Sequence, residues 1–253
     1  MTVALDELVA AMDQLLEPSR FRDYCPNGLQ VAGRAAVGRL ACAVTANQSV
    51  LDAAVAWGAD ALLVHHGYFW RGEDPCVTGM KRRRLGTLLG NDLSLIAYHL
   101  PLDAHPTVGN NAELGRLLAI GDVEPLHRDP GEGVGAIGNL PEPLTGAALA
   151  ARLAGLTGRE PLHIGDGEQP LRRVAWCTGA AQGYIDAAAA AGADAYITGE
   201  VSEPTVHSAR ELAVQFFAAG HHATERYGVQ ALGRVMAARF GLELCFLDCD
   251  NPA

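Results

Sequence analysis

Short aliphatic runs alternate with alanine-rich amphipathic stretches along most of the chain. This alternation is typical of βαβ units and predicts an α/β fold with a mainly parallel sheet. The first helix is the clearest element, because Leu5, Leu8, Met12 and Leu15 recur at helical spacing and Pro18 follows them.

The same pattern predicts the remaining elements in chain order. Strands are expected at 40–45, 61–64, 93–98, 134–137, 214–217 and 242–247, and a strand, a helix and a strand between 174 and 198. Further helices are expected at 49–57, 110–118, 144–156 and 224–240. The basic cluster 81–84 is interpreted as a solvated turn.

A break in composition at 129–135, rich in glycine, suggests two units. We expect one α/β unit over 1–124 and a second over 125–253, an arrangement in which the C-terminal helix and strand can pack back on the first unit.

An internal repeat supports two related units. Asp52–Ala61 matches Asp186–Ala195 at eight of ten positions without a gap, so the two copies are separated by a constant offset in numbering. Alanine-rich helices that end in glycine can recur by chance, but the matching context favours duplication. The copies differ where the second strand ends, with His65-His66 in one and Gly199-Glu200 in the other. We therefore expect the first copy to carry more of the chemistry.

Composition narrows the class of protein. The chain has 253 residues, of which 49% are hydrophobic and 19% charged, which is too apolar for a disordered protein. Its apolar runs are far shorter than the roughly 20 residues of a membrane-spanning helix, and its first residues do not resemble a signal peptide, so a cytoplasmic protein is expected. A net charge of −10 disfavours nucleic acid and anionic membranes as partners. The six cysteines form no C-x-x-C pair and are expected to be reduced core thiols.

Three histidine-containing segments begin where predicted strands end: 64–67, 98–105 and 220–225. Ligands of open α/β sheets bind at the carboxyl ends of strands, so these segments can converge on one crevice. Imidazole and carboxylate groups suit Zn²⁺, Mn²⁺, Fe or Ni better than Ca²⁺. The number of groups exceeds the needs of one tetrahedral ion, and a carboxylate at Glu225 can bridge two ions.

Each segment also has a simpler interpretation. His65 and His66 point to opposite faces if they continue the strand, so that one of them is a core residue. His99 and His105 can bond loop carbonyls, and Glu225 can be an acid favoured by the first turn of a helix. The shared position at strand ends favours a metal site. His127, His163 and His207 are expected to be surface or hydrogen-bonded residues outside it, and neither a phosphate-binding P-loop nor a G-x-S-x-G motif occurs.

Several motifs together resemble the Nif-three-like family of dinuclear-metal hexameric proteins, also known as GTP cyclohydrolase I type 2 homologues. They are Pro26-Asn-Gly-Leu-Gln-Val-Ala-Gly33, Val64-His-His-Gly-Tyr-Phe-Trp70, Ile96-Ala-Tyr-His-Leu-Pro-Leu-Asp-Ala-His105, Ile197-Thr-Gly-Glu200 and Ala219-Gly-His-His-Ala-Thr-Glu-Arg226. The chain length and the His-His-Gly-Tyr-Phe-Trp form are similar to the compact bacterial branch.

The resemblance implies two divalent metal ions per chain in a crevice between two α/β units. It implies metal ligands at His65, His66, Asp103, His221 and Glu225. It also implies a toroidal homohexamer with the metal pairs facing its cavity. The resemblance does not settle the reaction. Our leading hypothesis is a metal-dependent hydrolase of a nucleotide or related small molecule, and the alternative is a metal-dependent hexameric scaffold or binding protein without catalysis. Whether His99 or Glu200 joins the site stays open.

Overall fold

The computed structural model describes residues 1–126 and 134–253. His127 and most of the compositional break at 129–135 lie outside the described residues. The chain forms two compact units, one comprising Met1–Gly109 with Gly228–Asp250 and the other Asn110–Tyr227 with Asn251–Ala253. The first segment of the first unit thus ends at Gly109, whereas the composition placed the boundary near residue 125. The same unit also includes most of the C-terminal helix and strand.

The first unit contains the elements predicted for it from the sequence, together with further short strands and two helices that were not predicted. Its strands are β1 (Val3–Ala4), β2 (Gly28–Val31), β3 (Ala36–Val37), β4 (Arg39–Thr45), β5 (Ala61–His66) and β6 (Ser94–Ala97). Its helices are α1 (Leu5–Leu16), α2 (Gln48–Trp57), α3 (Gly79–Gly90) and α4 (Leu100–Ala104), with a short 3-10 helix at Pro18–Arg20.

The second unit contains the elements from Asn110 to Thr224. Its strands are β7 (Gly121–Pro125), β8 (Ala136–Thr145), β9 (Leu162–Ile164), β10 (Pro170–Trp176), β11 (Ala195–Thr198) and β12 (Gln215–Ala218). Its helices are α5 (Asn110–Leu117), α6 (Gly146–Thr157), α7 (Ile185–Ala190), α8 (Glu203–Glu211) and α9 (His221–Thr224), with a 3-10 helix at Gln182–Tyr184. The chain then forms α10 (Arg226–Phe240) and β13 (Glu243–Phe246).

The first unit is built on a five-stranded sheet of order β13-β4-β5-β6-β2, in which only the edge strand β2 is antiparallel to its neighbour. Side chains alternate between its two faces. Leu40, Leu63 and Ile96 pack with α1 and α10, and Ala41, Leu62 and Leu95 pack with α2 and α3. Burial on both faces explains why its parallel strands are continuously apolar in sequence.

The second unit has a six-stranded sheet of order β7-β8-β10-β11-β12-β9. Its centre, β10-β11-β12, is parallel, and β8 and β9 flank it in antiparallel pairing. Apolar clusters again cover both faces, one including α5 and α6 and the other α7 and α8. The predicted fold class, two related α/β units with parallel βαβ elements, is confirmed.

The repeat predicted from sequence is visible as two equivalent βαβ units. Helix α2 joins the parallel pair β4 and β5, and α7 joins the parallel pair β10 and β11. Leu40 pairs with Ala61 in the first copy, and Val174 pairs with Ala195 in the second. These pairs are equivalent at the offset of the sequence repeat, so the two copies have the same strand register. Both helices are followed by a glycine with positive φ, 78° at Gly58 and 75° at Gly192. The predicted parallel connection in both copies is confirmed.

Two expectations about the surface and the core are wrong. The basic cluster 81–84 lies inside α3 rather than in a turn, because Leu85 and Leu88 of this helix pack against the apolar cluster behind the sheet. Four successive basic residues hide that apolar spacing in the sequence. Cys76 is exposed, unlike the buried Cys25, Cys42 and Cys177, because residues 71–80 are all exposed. Within the described residues, we find no helix long and apolar enough to cross a membrane.

Candidate metal centre

The carboxyl end of β5 carries the two adjacent histidines. His65 is fully buried and His66 partly so, and their ring centroids lie 4.6 Å apart. Rings on opposite faces of a strand cannot approach this closely, so the alternative of one core and one outward histidine does not hold. The next residue is Gly67, which packs against Gln30 and Ala97 where a Cβ would not fit.

His65 is oriented by the neighbouring strand. Its Nδ1 lies 2.9 Å from the carbonyl oxygen of Tyr98 and therefore donates a hydrogen bond to it. This assignment leaves Nε2 as the lone-pair nitrogen, and Nε2 lies 3.4 Å from Asp103 Oδ1. Asp103 is 5% exposed and lies on α4, the short helix that directly follows β6.

His66 shows the same orientation. Its Nδ1 lies 3.2 Å from Thr45 Oγ1 at the end of the adjacent strand β4. Nε2 is again the nitrogen that would bind a ligand. Two adjacent imidazoles held through Nδ1 are the arrangement in which histidines bind metal ions in proteins.

His99 belongs to the same cluster. Its ring centroid lies 5.1 Å from that of His65 and 5.8 Å from that of His66. One ligand nitrogen from each of these three histidines lies within 4.8 Å of the others. Three imidazoles this close are able to hold a metal ion within the first unit.

Asp23 holds His99 in place and was missed in the sequence. Its Oδ1 lies 2.7 Å from His99 Nδ1, and its Oδ2 accepts hydrogen bonds from Asn27 Nδ2 and the backbone of Leu100. Burial by itself raises the pKa of the Asp23 carboxyl, but the hydrogen bonds from His99 and Asn27 outweigh burial and bring this pKa to about 2. Asp23 is therefore a carboxylate at neutral pH. Its neighbour Cys25 remains a thiol, because burial and Asp23 raise the pKa of Cys25 to about 12.

The second unit places His221 and Glu225 at the end of β12. His221 begins α9, and Glu225 directly follows that helix. Glu225 is 3% exposed, and its Oε2 lies 3.1 Å from His221 Nε2. On the other side of the ring, Glu200 Oε1 lies 2.7 Å from His221 Nδ1.

The two carboxylates control the charge of His221. Burial by itself lowers the pKa of His221, but hydrogen bonds and charge from Glu225 and Glu200 raise it to about 9. His221 is therefore protonated at neutral pH when only protons occupy the site. A divalent cation that binds His221 Nε2 must displace a proton, so the proton and the cation compete for this site.

Two glycines make room for this pair. A Cβ at Gly179, where φ is +71°, would collide with the Glu225 carboxylate, and a Cβ at Gly199 would collide with the backbone of His221. The backbone therefore approaches the His221–Glu225 pair more closely than any residue with a side chain allows.

Other histidines have local roles. His105 Nδ1 accepts hydrogen bonds from the backbone of Thr107 and Val108. His163 contacts Gln215 Oε1 and stacks on Phe217, and the exposed His207 pairs with Glu203. The predictions for His163 and His207 as surface or hydrogen-bonded residues are confirmed.

The first unit thus brings together His65, His66 and Asp103, with His99 beside them, and the second unit brings together His221 and Glu225. Each group combines imidazole nitrogens fixed through Nδ1 with a buried carboxylate. Clusters of this composition are able to bind first-row divalent metals.

Comparison with known proteins gives one consistent result. Residues 3–252 match the Duf34/NIF3 family, described as NGG1p interacting factor 3. A GTP cyclohydrolase 1 type 2 homolog from Pseudomonas aeruginosa is 59% identical over 100% of both chains. Proteins of the same description from Yersinia pestis and Escherichia coli K12 are 53% and 51% identical, over 98% of both chains in each case.

Solved structures extend this similarity to the fold. The structural-genomics protein ybgI, described as of unknown function, has a TM-score of 0.94 and 50% identity, covering 99% of this chain and 100% of that one. A protein from Thermus thermophilus has a TM-score of 0.90 and 36% identity with the same coverage. A reduced HcgD from Methanocaldococcus jannaschii shares the fold at a TM-score of 0.85 and 22% identity, covering 98% of this chain and 99% of that one.

Proposed function

The chain belongs to the Duf34/NIF3 family, and from that premise we propose that it is a metal-dependent hydrolase acting on a nucleotide or related small molecule. In this proposal each chain binds two divalent metal ions. The proposed ligands are His65, His66, Asp103, His221 and Glu225.

The orientation of the histidines carries the proposal. His65, His66 and His221 are each fixed through Nδ1, to a carbonyl, a hydroxyl and a carboxylate respectively. In His65 and His221 the opposite nitrogen, Nε2, lies 3.4 Å and 3.1 Å from a buried carboxylate. Proteins build this arrangement around metals because the outer hydrogen bond fixes the tautomer and makes Nε2 a better donor.

Two ions also require the groups of both units. We infer that the ligands of both groups would hold the same pair of ions, as the family resemblance implies, and that Glu225 would be the ligand shared by the two ions. Its carboxylate has two oxygens and would reduce the repulsion between cations roughly 3.5–4 Å apart. The ligand set accepts Zn²⁺, Mn²⁺, Fe or Ni, so the metal is left open.

In the proposed reaction, residues of this chain orient the metal-binding histidines and transfer protons. A bound metal pair supplies an activated water and polarises the group to be cleaved. The Tyr98 carbonyl and Glu200 hold His65 and His221 in the required tautomers. His99, fixed by Asp23 through Nδ1, offers Nε2 as the atom that exchanges a proton with the substrate.

Metal reconstitution tests the proposal. Chelator-treated protein is reloaded with Mn²⁺ or Zn²⁺ and its metal content measured, and we expect two equivalents per chain. The loaded protein is then screened against GTP, the substrate suggested by the names of its relatives, and against phosphoesters and damaged nucleotides. His207→Ala serves as a control outside the site and should retain both ions. One equivalent would contradict the paired site, and hydrolysis unaffected by chelation would contradict metal dependence.

A scaffold function is the second candidate. The names of the relatives describe them only as homologues of an enzyme. In the scaffold proposal, metal ions bound by the same ligands would stabilise a toroidal homohexamer in the cytoplasm. Sedimentation of chelated protein separates the two proposals. Dissociation together with loss of metal favours the scaffold, whereas an intact hexamer that loses hydrolysis favours the enzyme.

A further inference from the structure

Two aromatic side chains flank the histidine cluster of the first unit. The ring centroid of Trp70 lies 5.1 Å from that of His99 and 6.0 Å from that of His66. The Tyr24 centroid lies 6.2 Å from that of His99 on an edge-to-face approach. Tyr24 is 58% exposed and Trp70 is partly exposed, so both rings retain surface open to solvent. We call Tyr24 and Trp70 the aromatic rim.

Hydrogen bonds from Arg71 join the loops that carry the two rim residues. Arg71, next to Trp70, donates its backbone N–H to the carbonyl of Tyr24 at 2.7 Å. The Arg71 guanidinium donates to the carbonyl of Asp23 at 2.8 Å. The loop that carries Tyr24 is therefore tied to the loop that carries Trp70, and through Asp23 to His99.

The Trp70 loop has a fixed and strained conformation. The indole Nε1 donates to the Gly67 carbonyl, and the Trp70 backbone N–H contacts Glu73 Oε2, both at 3.2 Å. Phe69 has a φ of +65°, which is costly for a bulky side chain. Such strain persists where surrounding contacts enforce it, and it is concentrated at ligand-binding sites. Hydrogen bonds within its own loop thus hold Trp70 in the rim.

We propose that the aromatic rim binds the planar base of a nucleoside or nucleotide substrate, by stacking on Trp70 and Tyr24. Every nucleobase has a π face, and stacking on exposed aromatic rings is a general means of binding bases. A base stacked here lies beside His66 and His99, so the rest of the substrate is placed next to the proposed metal ligands. This inference rests on the proposed function and specifies which part of the substrate the first unit recognises.

Nucleosides without phosphate test the rim separately from metal binding to phosphate. Calorimetry measures the binding of adenosine, guanosine, cytidine and uridine to the purified metal-loaded protein, with ribose as the control without a base. We expect at least one nucleoside to bind and ribose not to bind detectably. Trp70→Leu and Tyr24→Leu should each raise the Kd roughly ten-fold, since stacking on one ring contributes about that much.

Matched variants separate stacking from folding. Trp70→Phe lacks the indole N–H but keeps a ring, so it should recover most of the affinity lost in Trp70→Leu. Trp57→Phe changes a tryptophan that contacts Arg39 outside the rim and should bind as the wild type does. Metal content and sedimentation are measured for every variant.

Three results would overturn the inference. They are nucleosides that bind no better than ribose, a Trp70→Leu variant that binds as tightly as wild type, and loss of binding only together with a smaller oligomer. The last result would assign the rim to a contact between subunits. If the protein binds nucleosides but hydrolyses no nucleotide, the proposed role of the aromatic rim would stand and the proposed hydrolase function would be rejected.

Discussion

Glu200 accepts a hydrogen bond from His221 Nδ1 at 2.7 Å, and it occupies the strand-end position of the second copy that corresponds to His66 in the first. The duplicated scaffold therefore uses equivalent positions differently. The first copy provides an imidazole at this position, and the second provides a carboxylate that orients an imidazole from the next strand. We therefore expect Glu200 to act on the proposed metal site through His221 and not as a metal ligand.

The first prediction concerns Glu200→Ala. His221 would lose the group that fixes its tautomer, and metal affinity should fall about 10- to 100-fold, as is typical for such outer contacts. Glu200→Gln, which can still accept a hydrogen bond from Nδ1, should lose less. Competition with a coloured chelator measures the affinity. Glu203→Ala, which removes an exposed acid paired with His207, is the control, and an equal loss in that variant would reject a specific role for Glu200.

A second prediction compares Glu225→Ala with His222→Ala. Glu225 is the proposed bridge, so its loss should weaken both metal ions and leave their repulsion unscreened. His222 is also buried but is expected to contact no metal, so that its replacement should leave two equivalents bound. Metal content after gel filtration distinguishes the variants. Equal losses, or a larger loss in His222→Ala, would show that the ligand register in residues 220–225 is wrong.

A third prediction follows from the pKa of His221, raised to about 9 by Glu225 and Glu200. Below that pH a metal ion must displace the proton on His221. Affinity should therefore increase about ten-fold per pH unit from pH 7 toward 9 and become less dependent on pH above it. Calorimetry at pH 7 in buffers with different ionisation enthalpies should detect about one proton released at this residue. Glu200→Gln should reduce the proton release, and binding without proton release in the wild type would contradict the prediction.

The sequence predicted the fold well wherever apolar spacing was uninterrupted. Helix α1 was predicted at its observed position, and the parallel strands of both copies were recognised from their continuous apolar runs. Short edge strands such as β2 and β9 were missed, because they carry only a few apolar residues and gain their order from pairing with β6 and β12. Helix α3 was missed because its four basic residues conceal the buried Leu88.

The sequence suggested candidate ligands but not the residues that hold them in place. The ends of predicted strands pointed to the segments that contain His65, His66 and Asp103, since metal-binding residue types occur there together. The family resemblance then implied these residues as ligands. Asp23 carries no such signal, because it precedes β2 in an irregular loop and reaches His99 across 76 residues of sequence. Its role depends on tertiary packing that no local pattern encodes.

The last prediction tests the duplication energetically. Asp60 Oδ2 accepts the backbone N–H groups of Gly38 and Arg39, and Asp194 Oδ2 accepts those of Arg172 and Arg173, at corresponding positions of the two copies. Each carboxylate thereby holds the backbone of the first strand of its βαβ unit, at the start of β4 and within β10. Asp60→Ala and Asp194→Ala should each lower the free energy of unfolding by about 1–3 kcal/mol, because backbone donors lose a charged acceptor.

Urea unfolding of metal-free protein measures these changes. In the second copy, Asp194→Asn should recover part of the loss, because one amide oxygen can still accept both N–H groups. The control is Asp186→Ala, an exposed acid in the first turn of α7, which should change the free energy by less than about 0.5 kcal/mol. If only Asp60→Ala lowers the free energy of unfolding, the second copy does not depend on the equivalent carboxylate of Asp194. Equal losses of unfolding free energy in Asp186→Ala and Asp194→Ala would contradict a stabilising role for the Asp194 carboxylate, because the exposed Asp186 makes no comparable pair of backbone contacts.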